Sequence, residues 1–134
     1  MDYNKNDMLR ESVIPALLGN SAAARFMAFR IYLRYGIISY ICAEKPRLLD
    51  RIDPFSKFFP LHSASEEGVM LEALDYLARD REYLPVIIPC GEYFENFVEK
   101  NREFLEARFI IADRESFFTK KPMSILKEGA SYEN

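Results

Sequence analysis

The sequence predicts a doubly wound parallel α/β domain that is Rossmann-like, with about five strands in a three-layer α/β/α arrangement. Two observations predict this class. Short runs that are apolar throughout recur along the chain, as in strands that are buried on both faces of a sheet. Longer amphipathic stretches separate them, and such alternation requires right-handed crossovers. Because helices must cover both faces, we expect the strand order to reverse beside the first strand, giving 3-2-1-4-5.

The candidate strands and helices alternate along the chain. Five apolar runs are the candidate strands: residues 13–18, 37–43, 58–61, 86–89 and 109–112. The stretches between them predict helices over residues 21–35, 66–81 and 92–105, with a short last helix over 114–119. The longest irregular connection covers residues 44–57 and contains two prolines.

Apolar spacing predicts which side of each helix is buried. In the first helix the residues at i, i+4, i+7 and i+11 are Ala22, Phe26, Phe29 and Leu33. Gly36 follows, where a helix often ends on a left-handed residue. The second helix has Met70, Ala73, Leu74, Leu77 and Ala78 on one side, and the third has Phe94, Phe97, Val98 and Leu105. Ser63 and Glu66 have the spacing of a capping box before the second helix.

Size and composition limit the class of protein. The chain has 134 residues, 49% of them hydrophobic, which suits one domain with a real core and argues against disorder. We expect a polar segment over 1–12, the domain over 13–121, and a polar tail or the start of a linker over 122–134. The net charge of −3 without a long basic run argues against nucleic acid or an anionic membrane as partner. The polar start lacks a signal-peptide core, and no apolar run could span a bilayer, so a cytoplasmic location is expected.

The loop after the first strand is the first candidate binding site. Gly19, Asn20 and Ser21 lie where a helix N-terminus opens at the carboxyl edge of the sheet, and small residues let a ligand approach the backbone. The alternative is a tight turn in which Asn20 or Ser21 caps the helix. Glu44 ends the second strand, where dinucleotide-binding domains carry a ribose-binding acid. Without the G-x-G-x-x-G fingerprint, we interpret it as a solvated strand-end residue.

The loop after the fourth strand is the second candidate, with Cys90, Gly91, Glu92 and Tyr93. Gly91 suits a turn and Glu92 the first turn of a helix. His62 follows the third strand, across the sheet from Cys90, so a Cys–His catalytic pair is not expected. No metal-ligand spacing is present, and no residue is assigned a catalytic role. Two acids and two arginines of the long connection are interpreted as a solvated face of mixed charge: Asp50, Asp53, Arg47 and Arg51.

In order along the chain, several segments resemble the amino-terminal (pre-ATP-grasp) domain of ATP-grasp ligases. Those most similar are carbamoyl-phosphate-synthase-like and D-aspartate-ligase-like members. The matching segments are VIPALLGNSAAAR at 13–25, YGI at 35–37, PVIIPCGEY at 85–93, NREFL at 101–105 and FII at 109–111. The resemblance covers roughly residues 13–121. Lys120 and Lys121 stand where the family continues into the domains that hold ATP.

The resemblance implies a function for the two candidate loops. Complete relatives join a carboxylate to an amine through an acyl-phosphate, and this domain forms one wall of the substrate site through residues 19–21 and 90–93. ATP and magnesium are then held by downstream ATP-grasp domains, which are the implied partners, and this chain is a fragment that is not catalytic alone. A homodimer is a further expectation, because a domain edge normally covered by its neighbours would be exposed.

Two alternatives to a ligase domain remain open at this point. The chain could be a free-standing Rossmann-like module that binds a small molecule or a protein, in which case some of its 11 Phe and 8 Tyr residues form an exposed apolar patch. It could also be a small enzyme that uses Cys90 as a nucleophile, which requires a neighbouring base or cation.

Overall fold

Five parallel strands form the centre of the molecule in a computed structural model that describes residues 13–61, 66–79, 83–115 and 117. The strands are β1 (Val13–Leu18), β2 (Ser39–Ala43), β3 (Ser56–Pro60), β4 (Leu84–Pro89) and β5 (Ile110–Ile111). Their order in the sheet is β3-β2-β1-β4-β5, and every neighbouring pair is parallel. The predicted fold class and strand order are therefore confirmed.

The helices connect the strands much as predicted. They are α1 (Ala22–Tyr35), α2 (Glu67–Leu77), α3 (Glu92–Lys100) and α4 (Arg102–Glu106), with a short 3₁₀ helix over Leu48–Arg51 inside the long connection. The single helix expected over 92–105 is two helices. At the break, the backbone N–H and the side-chain amide of Asn101 both donate to the carbonyl of Phe97, at 3.1 and 3.0 Å. Because the Phe97 carbonyl accepts hydrogen bonds from both groups of Asn101, it has its partners at the end of α3. This favours the end of the helix at that point.

The two faces of the sheet are covered unequally. On one face, which we call the α1 side, α1 packs against β1, β2 and β4 together with Phe117. On the other, the three-helix side, the buried faces of α2, α3 and α4 pack against the opposite side chains of the same strands. Both faces of the central strands are thus removed from water, which explains why those strands are apolar throughout.

The predicted buried side of α1 is wrong. The four residues chosen by spacing are exposed, with Phe26 62% and Leu33 65% accessible. The buried side consists instead of Ala24, Met27, Ala28, Ile31 and Tyr35. Both sides of this helix are apolar at helical spacing, so periodicity cannot choose between them. The two small alanines let the helix backbone lie close to the sheet, and Phe26, Phe29 and Leu33 face outward.

The other helices bury the predicted sides. Met70, Leu74 and Leu77 of α2 are buried, as are Phe97 and Val98 of α3. The end of α1 is also as predicted, because Gly36 is left-handed, with φ 72°, and its N–H donates to the carbonyl of Tyr32. These features can be predicted from local sequence.

Some predictions fall outside the described residues. They concern His62, the Ser63 end of the capping box, Lys120 and Lys121, most of the helix expected over 114–119, and the segments 1–12 and 122–134. In the described part of the chain, no helix has both the length and the apolar character needed to cross a membrane.

Candidate functional site

The carboxyl ends of β1 and β4 meet at the point where the strand order reverses. The two strands pair in parallel along their whole length, from Val13 opposite Leu84 to Leu18 opposite Pro89. α1 leaves β1 toward one face of the sheet, and α3 leaves β4 toward the other. Such divergence opens a crevice between the two helix N-termini, where ligands of doubly wound folds bind. The structure thus brings together both predicted loops, residues 19–21 and 90–93.

Gly19 lets the two loops touch. Its φ of 121° is unfavourable for a residue with a side chain, and a Cβ placed there would lie 2.8 Å from the carbonyl oxygen of Cys90. Backbone hydrogen bonds continue the sheet into this contact: Gly19 N–H donates to Cys42 at 2.8 Å and Cys90 N–H donates to Leu18 at 2.9 Å. Any side chain at position 19 would therefore push the loops apart.

The side chains of Asn20 and Ser21 are engaged inside the protein. Ser21 Oγ accepts from the backbone N–H of Ala24 at 3.2 Å and caps α1. The amide nitrogen of Asn20 donates to the carbonyl of Lys45 at 3.2 Å and to Asp50 at 2.6 Å. These contacts match the capping alternative for Ser21. Because these side chains are already engaged, the loop can offer a ligand its backbone N–H groups rather than its side chains.

Cys90 is unsuited to nucleophilic catalysis. Its side chain is buried, and Sγ lies 3.6 Å from the carbonyl oxygen of Ile88. Burial raises the pKa of the Cys90 thiol to about 12, although the charge of Arg114 opposes the rise. A thiol with that pKa is protonated at neutral pH, and the thiolate is the reactive form. Cys42 packs on the other face of the sheet, and burial raises its pKa as well.

The two helix N-termini at the crevice differ in charge. The first turn of α3 contains Glu92 and Glu95, whereas the first turn of α1 contains no acidic residue. Gly91 precedes α3 with φ 134° and open space around it, and Tyr93 is 55% exposed. Carboxylates in a first turn compete with an anionic ligand for the positive end of the helix dipole. An anion at this edge is therefore favoured at α1, beside residues 19–21, over α3.

A partly buried ion-pair cluster, which the sequence analysis missed, lies beside the Asn20 loop. The guanidinium of Arg25 donates to Asp50 at 2.5 Å, to Asp53 at 3.0 Å and to Asn20 at 3.3 Å. Asp50 also accepts from the backbone N–H of Arg47 at 2.6 Å, and Asp53 from the hydroxyl of Ser56 at 3.0 Å. We call Asn20, Arg25, Asp50 and Asp53 the Arg25 cluster. It fastens the long connection to α1.

The interpretation of Asp50 and Asp53 as part of a solvated face is therefore wrong. The side chain of Asp50 is 1% exposed and that of Asp53 10%. Burial alone would raise the pKa of Asp50, but the hydrogen bonds from Arg47 N–H, Arg25 and Asn20 outweigh it and hold that pKa below its usual value. The one hint in the sequence is that Arg25, one of three arginines in α1, lies next to the buried stripe of that helix. Its partners lie 25 and 28 residues away, beyond the reach of local patterns.

Other predicted features have no binding geometry. Glu44 is exposed at the end of β2. Within residues 13–61, 66–79, 83–115 and 117, no three His, Cys, Asp or Glu side chains come together in a way that could hold a metal ion. Comparisons of the chain with protein-family models, with curated proteins and with solved structures found no match.

Proposed function

We propose that this chain is the substrate-side domain of an ATP-dependent carboxylate–amine ligase of the ATP-grasp type, and that it is not catalytic alone. The observation that carries the proposal is the N-terminus of α1 at the switch point. It follows a glycine in contact with the neighbouring loop and has no acid in its first turn. A helix N-terminus of this kind binds anions, and a substrate carboxylate is one of them.

In this proposal the substrate binds through the backbone. The N–H groups of Ala22 and Ala23 precede the first intrahelical hydrogen bond of α1, so they can donate to a carboxylate. Ser21 and Asn20 hold the loop in place through Ala24 N–H and the Arg25 cluster. Gly91, at the start of α3, has open space where a side chain would stand.

ATP and magnesium would be held by downstream ATP-grasp domains, which are the partners of this chain in the proposal. The described residues contain neither a cluster of metal ligands nor a glycine-rich phosphate loop. The acyl-phosphate chemistry is therefore not assigned to any of the described residues.

A titration followed by amide NMR tests the proposal. Small carboxylates and amino acids are expected to shift the amide signals of Ser21, Ala22 and Ala23, and Mg·ATP is expected to leave them unchanged. Ala22→Glu places an acid in the first turn and should abolish the carboxylate shifts, whereas Ala22→Gln should preserve them. Mg·ATP binding at this loop, or carboxylate shifts that survive Ala22→Glu, would contradict the proposal.

One observation favours a second candidate function, a free-standing module that binds a protein partner. The outward side of α1 is apolar, with Phe26 and Leu33 largely exposed. Exposed apolar side chains that adjoin each other mark interaction surfaces. Light scattering during size-exclusion chromatography tests for a self-complex, and a thermal-shift screen tests for small-molecule ligands.

A further inference from the structure

A small cavity lies between α1 and the turn that follows β5. Its volume is about 370 Å³. Four residues of α1 and two of the turn line it: Ala23, Phe26, Met27, Arg30, Arg114 and Glu115. Because Ala23 belongs to the first turn of α1, this cavity reaches the helix end at which a substrate carboxylate is proposed to bind. We call it the Arg114 cavity.

Contacts at both ends hold the turn in place. Before it, the backbone N–H of Ala112 donates to the carbonyl of Ile87 on β4 at 3.0 Å. After it, Phe117 is fully buried, and its ring packs edge-to-face against Tyr35 of α1 at a centroid distance of 5.6 Å. The backbone of Arg114 is therefore held at the carboxyl edge of the sheet, on the α1 side. A side chain on a backbone held in this way needs less ordering when a ligand binds.

The guanidinium of Arg114 is available to a ligand. Arg114 is exposed, and no other described residue forms a hydrogen bond or an ion pair with it. The first two arginines of α1 are already engaged: Arg25 belongs to the Arg25 cluster, and the guanidinium of Arg30 lies 5.9 Å from the centre of the Phe26 ring. Because a guanidinium carries five N–H donors and stays charged, one without an ionic partner favours an anion.

The positive charge of Arg114 acts on the crevice between the two candidate loops. It opposes the rise in the pKa of the Cys90 thiol that burial causes. The side chain of Cys90 packs on the α1 side of the sheet, and its carbonyl oxygen lies against Gly19. A side chain whose charge acts on Cys90, and which lines one cavity with Ala23, is near both walls of the crevice. Its field attracts an anion to this point.

We propose that Arg114 is a specificity-determining residue that binds the substrate carboxylate together with the N-terminus of α1. The N–H groups of Ala22 and Ala23 would donate to the carboxylate from the helix, and the guanidinium would donate to it from across the Arg114 cavity. An arginine suits this role because its planar fork of donors matches a carboxylate. This inference rests on the ligase-domain proposal, and it names the charged side chain that residues 19–21 do not supply.

Glu115 gives the proposal a second, opposite sign. It lines the same cavity as Arg114 and is exposed. As a carboxylate it repels a carboxylate ligand, so its charge works against that of its neighbour. Removal of the arginine charge should therefore weaken carboxylate binding, and removal of the glutamate charge should strengthen it. Because both side chains are exposed, neither change is expected to disturb the fold.

An acetate titration of the full chain, followed by the amide NMR signals of residues 21–23, tests the proposal. Arg114→Gln should weaken acetate binding about tenfold, the size of effect typical of a hydrogen bond to a charged group. Arg114→Lys keeps the charge without the fork and should weaken it less. Glu115→Gln should strengthen it about twofold. Lys57→Gln is the matched control, because it removes one exposed charge from β3, at the opposite edge of the sheet from β5, and should leave affinity unchanged.

The side-chain Nε–H signal of Arg114 tests for direct contact, and it should shift with the same dissociation constant as the amide of Ala23. The other outcomes separate this inference from the function on which it rests. Loop shifts with an unchanged dissociation constant in Arg114→Gln would overturn the role of Arg114 and retain the carboxylate site. Equal weakening in Arg114→Gln and Lys57→Gln would do the same, because net charge alone would explain it. No shifts in the unmodified protein would overturn both.

Discussion

The two sides of the sheet use their charged residues differently. On the α1 side, charges converge in the Arg25 cluster, where the Asp50 side chain is almost fully buried. On the three-helix side, ion pairs lie at the surface, for example Arg102 with Glu99 at 2.9 Å and with Glu106 at 3.2 Å. Buried pairs are costly to break and exposed pairs contribute little. The difference suggests that the long connection is held by polar contacts, and the three-helix side mainly by its apolar core.

Removal of one arginine from each side should give the largest contrast. Arg25→Met leaves Asp50 buried without its main ionic partner, and we expect a loss of about 3 kcal/mol in the free energy of unfolding. Arg102→Met removes an exposed pair and should cost at most about 1 kcal/mol. Urea denaturation measures both values. Equal losses in the two variants would contradict the contrast.

Two glycines provide the next comparison. Gly19→Ala introduces a Cβ 2.8 Å from the Cys90 carbonyl at a positive φ, so a loss of about 2 kcal/mol is expected. Gly68 lies in α2 with nothing within 4 Å of an added Cβ, and Gly68→Ala should stabilise the protein by up to about 1 kcal/mol. Thermal denaturation of both variants checks the opposite signs. A stabilising Gly19→Ala would show that the loops do not need their close contact.

Acid should weaken the contribution of one carboxylate on each side of the sheet. The pKa of Asp50 is lowered on folding, so its stabilising contribution is present above the unfolded value of about 3.9 and is lost as the pH falls through the folded value. Hydrogen bonds from Arg108 and Arg79 lower the pKa of Asp75 as well, on the three-helix side. Urea unfolding of Asp50→Asn and Asp75→Asn at a series of pH values isolates each contribution.

Added salt makes this comparison sharper. The contribution of Asp75 should shrink in high salt because its ion pairs are more exposed than the Asp50 pair, whereas the contribution of Asp50 should persist. A contribution from Asp50 that disappears in salt would mean that the Arg25 cluster is hydrated.

The smallest effects are expected from two serines that lie opposite each other on β2 and β3. The Ser39 hydroxyl is buried and lacks a hydrogen-bond partner within the described residues, whereas Ser56 donates to Asp53. Ser39→Ala should therefore be neutral or stabilise by up to about 1 kcal/mol, and Ser56→Ala should destabilise by about 1 kcal/mol. Chemical denaturation of the pair checks the opposite signs. A destabilising Ser39→Ala would indicate a water partner for its hydroxyl.

The local sequence was sufficient to predict the sheet, but it was not sufficient to predict which side of α1 faces solvent. The sequence pattern allows only one buried arrangement for a strand that is apolar throughout. The same holds for a helix with one apolar side, such as α2. α1 has two apolar sides, and only packing against the sheet shows that Ala24 and Ala28 face inward. At the candidate site, Gly19 and the Ser21 cap are readable from sequence. The Arg25 cluster is not, because it joins side chains that approach only when the long connection folds back on α1.

That convergence on one guanidinium has a consequence for local unfolding. The backbone amide of Arg47 is held by Asp50 and that of Phe55 by Asp53, and both carboxylates are held by Arg25. Release of Arg25 would free both ends of the connection at once. In hydrogen–deuterium exchange these two amides, eight residues apart in sequence, should therefore open with the same free energy, as one unit smaller than the whole domain.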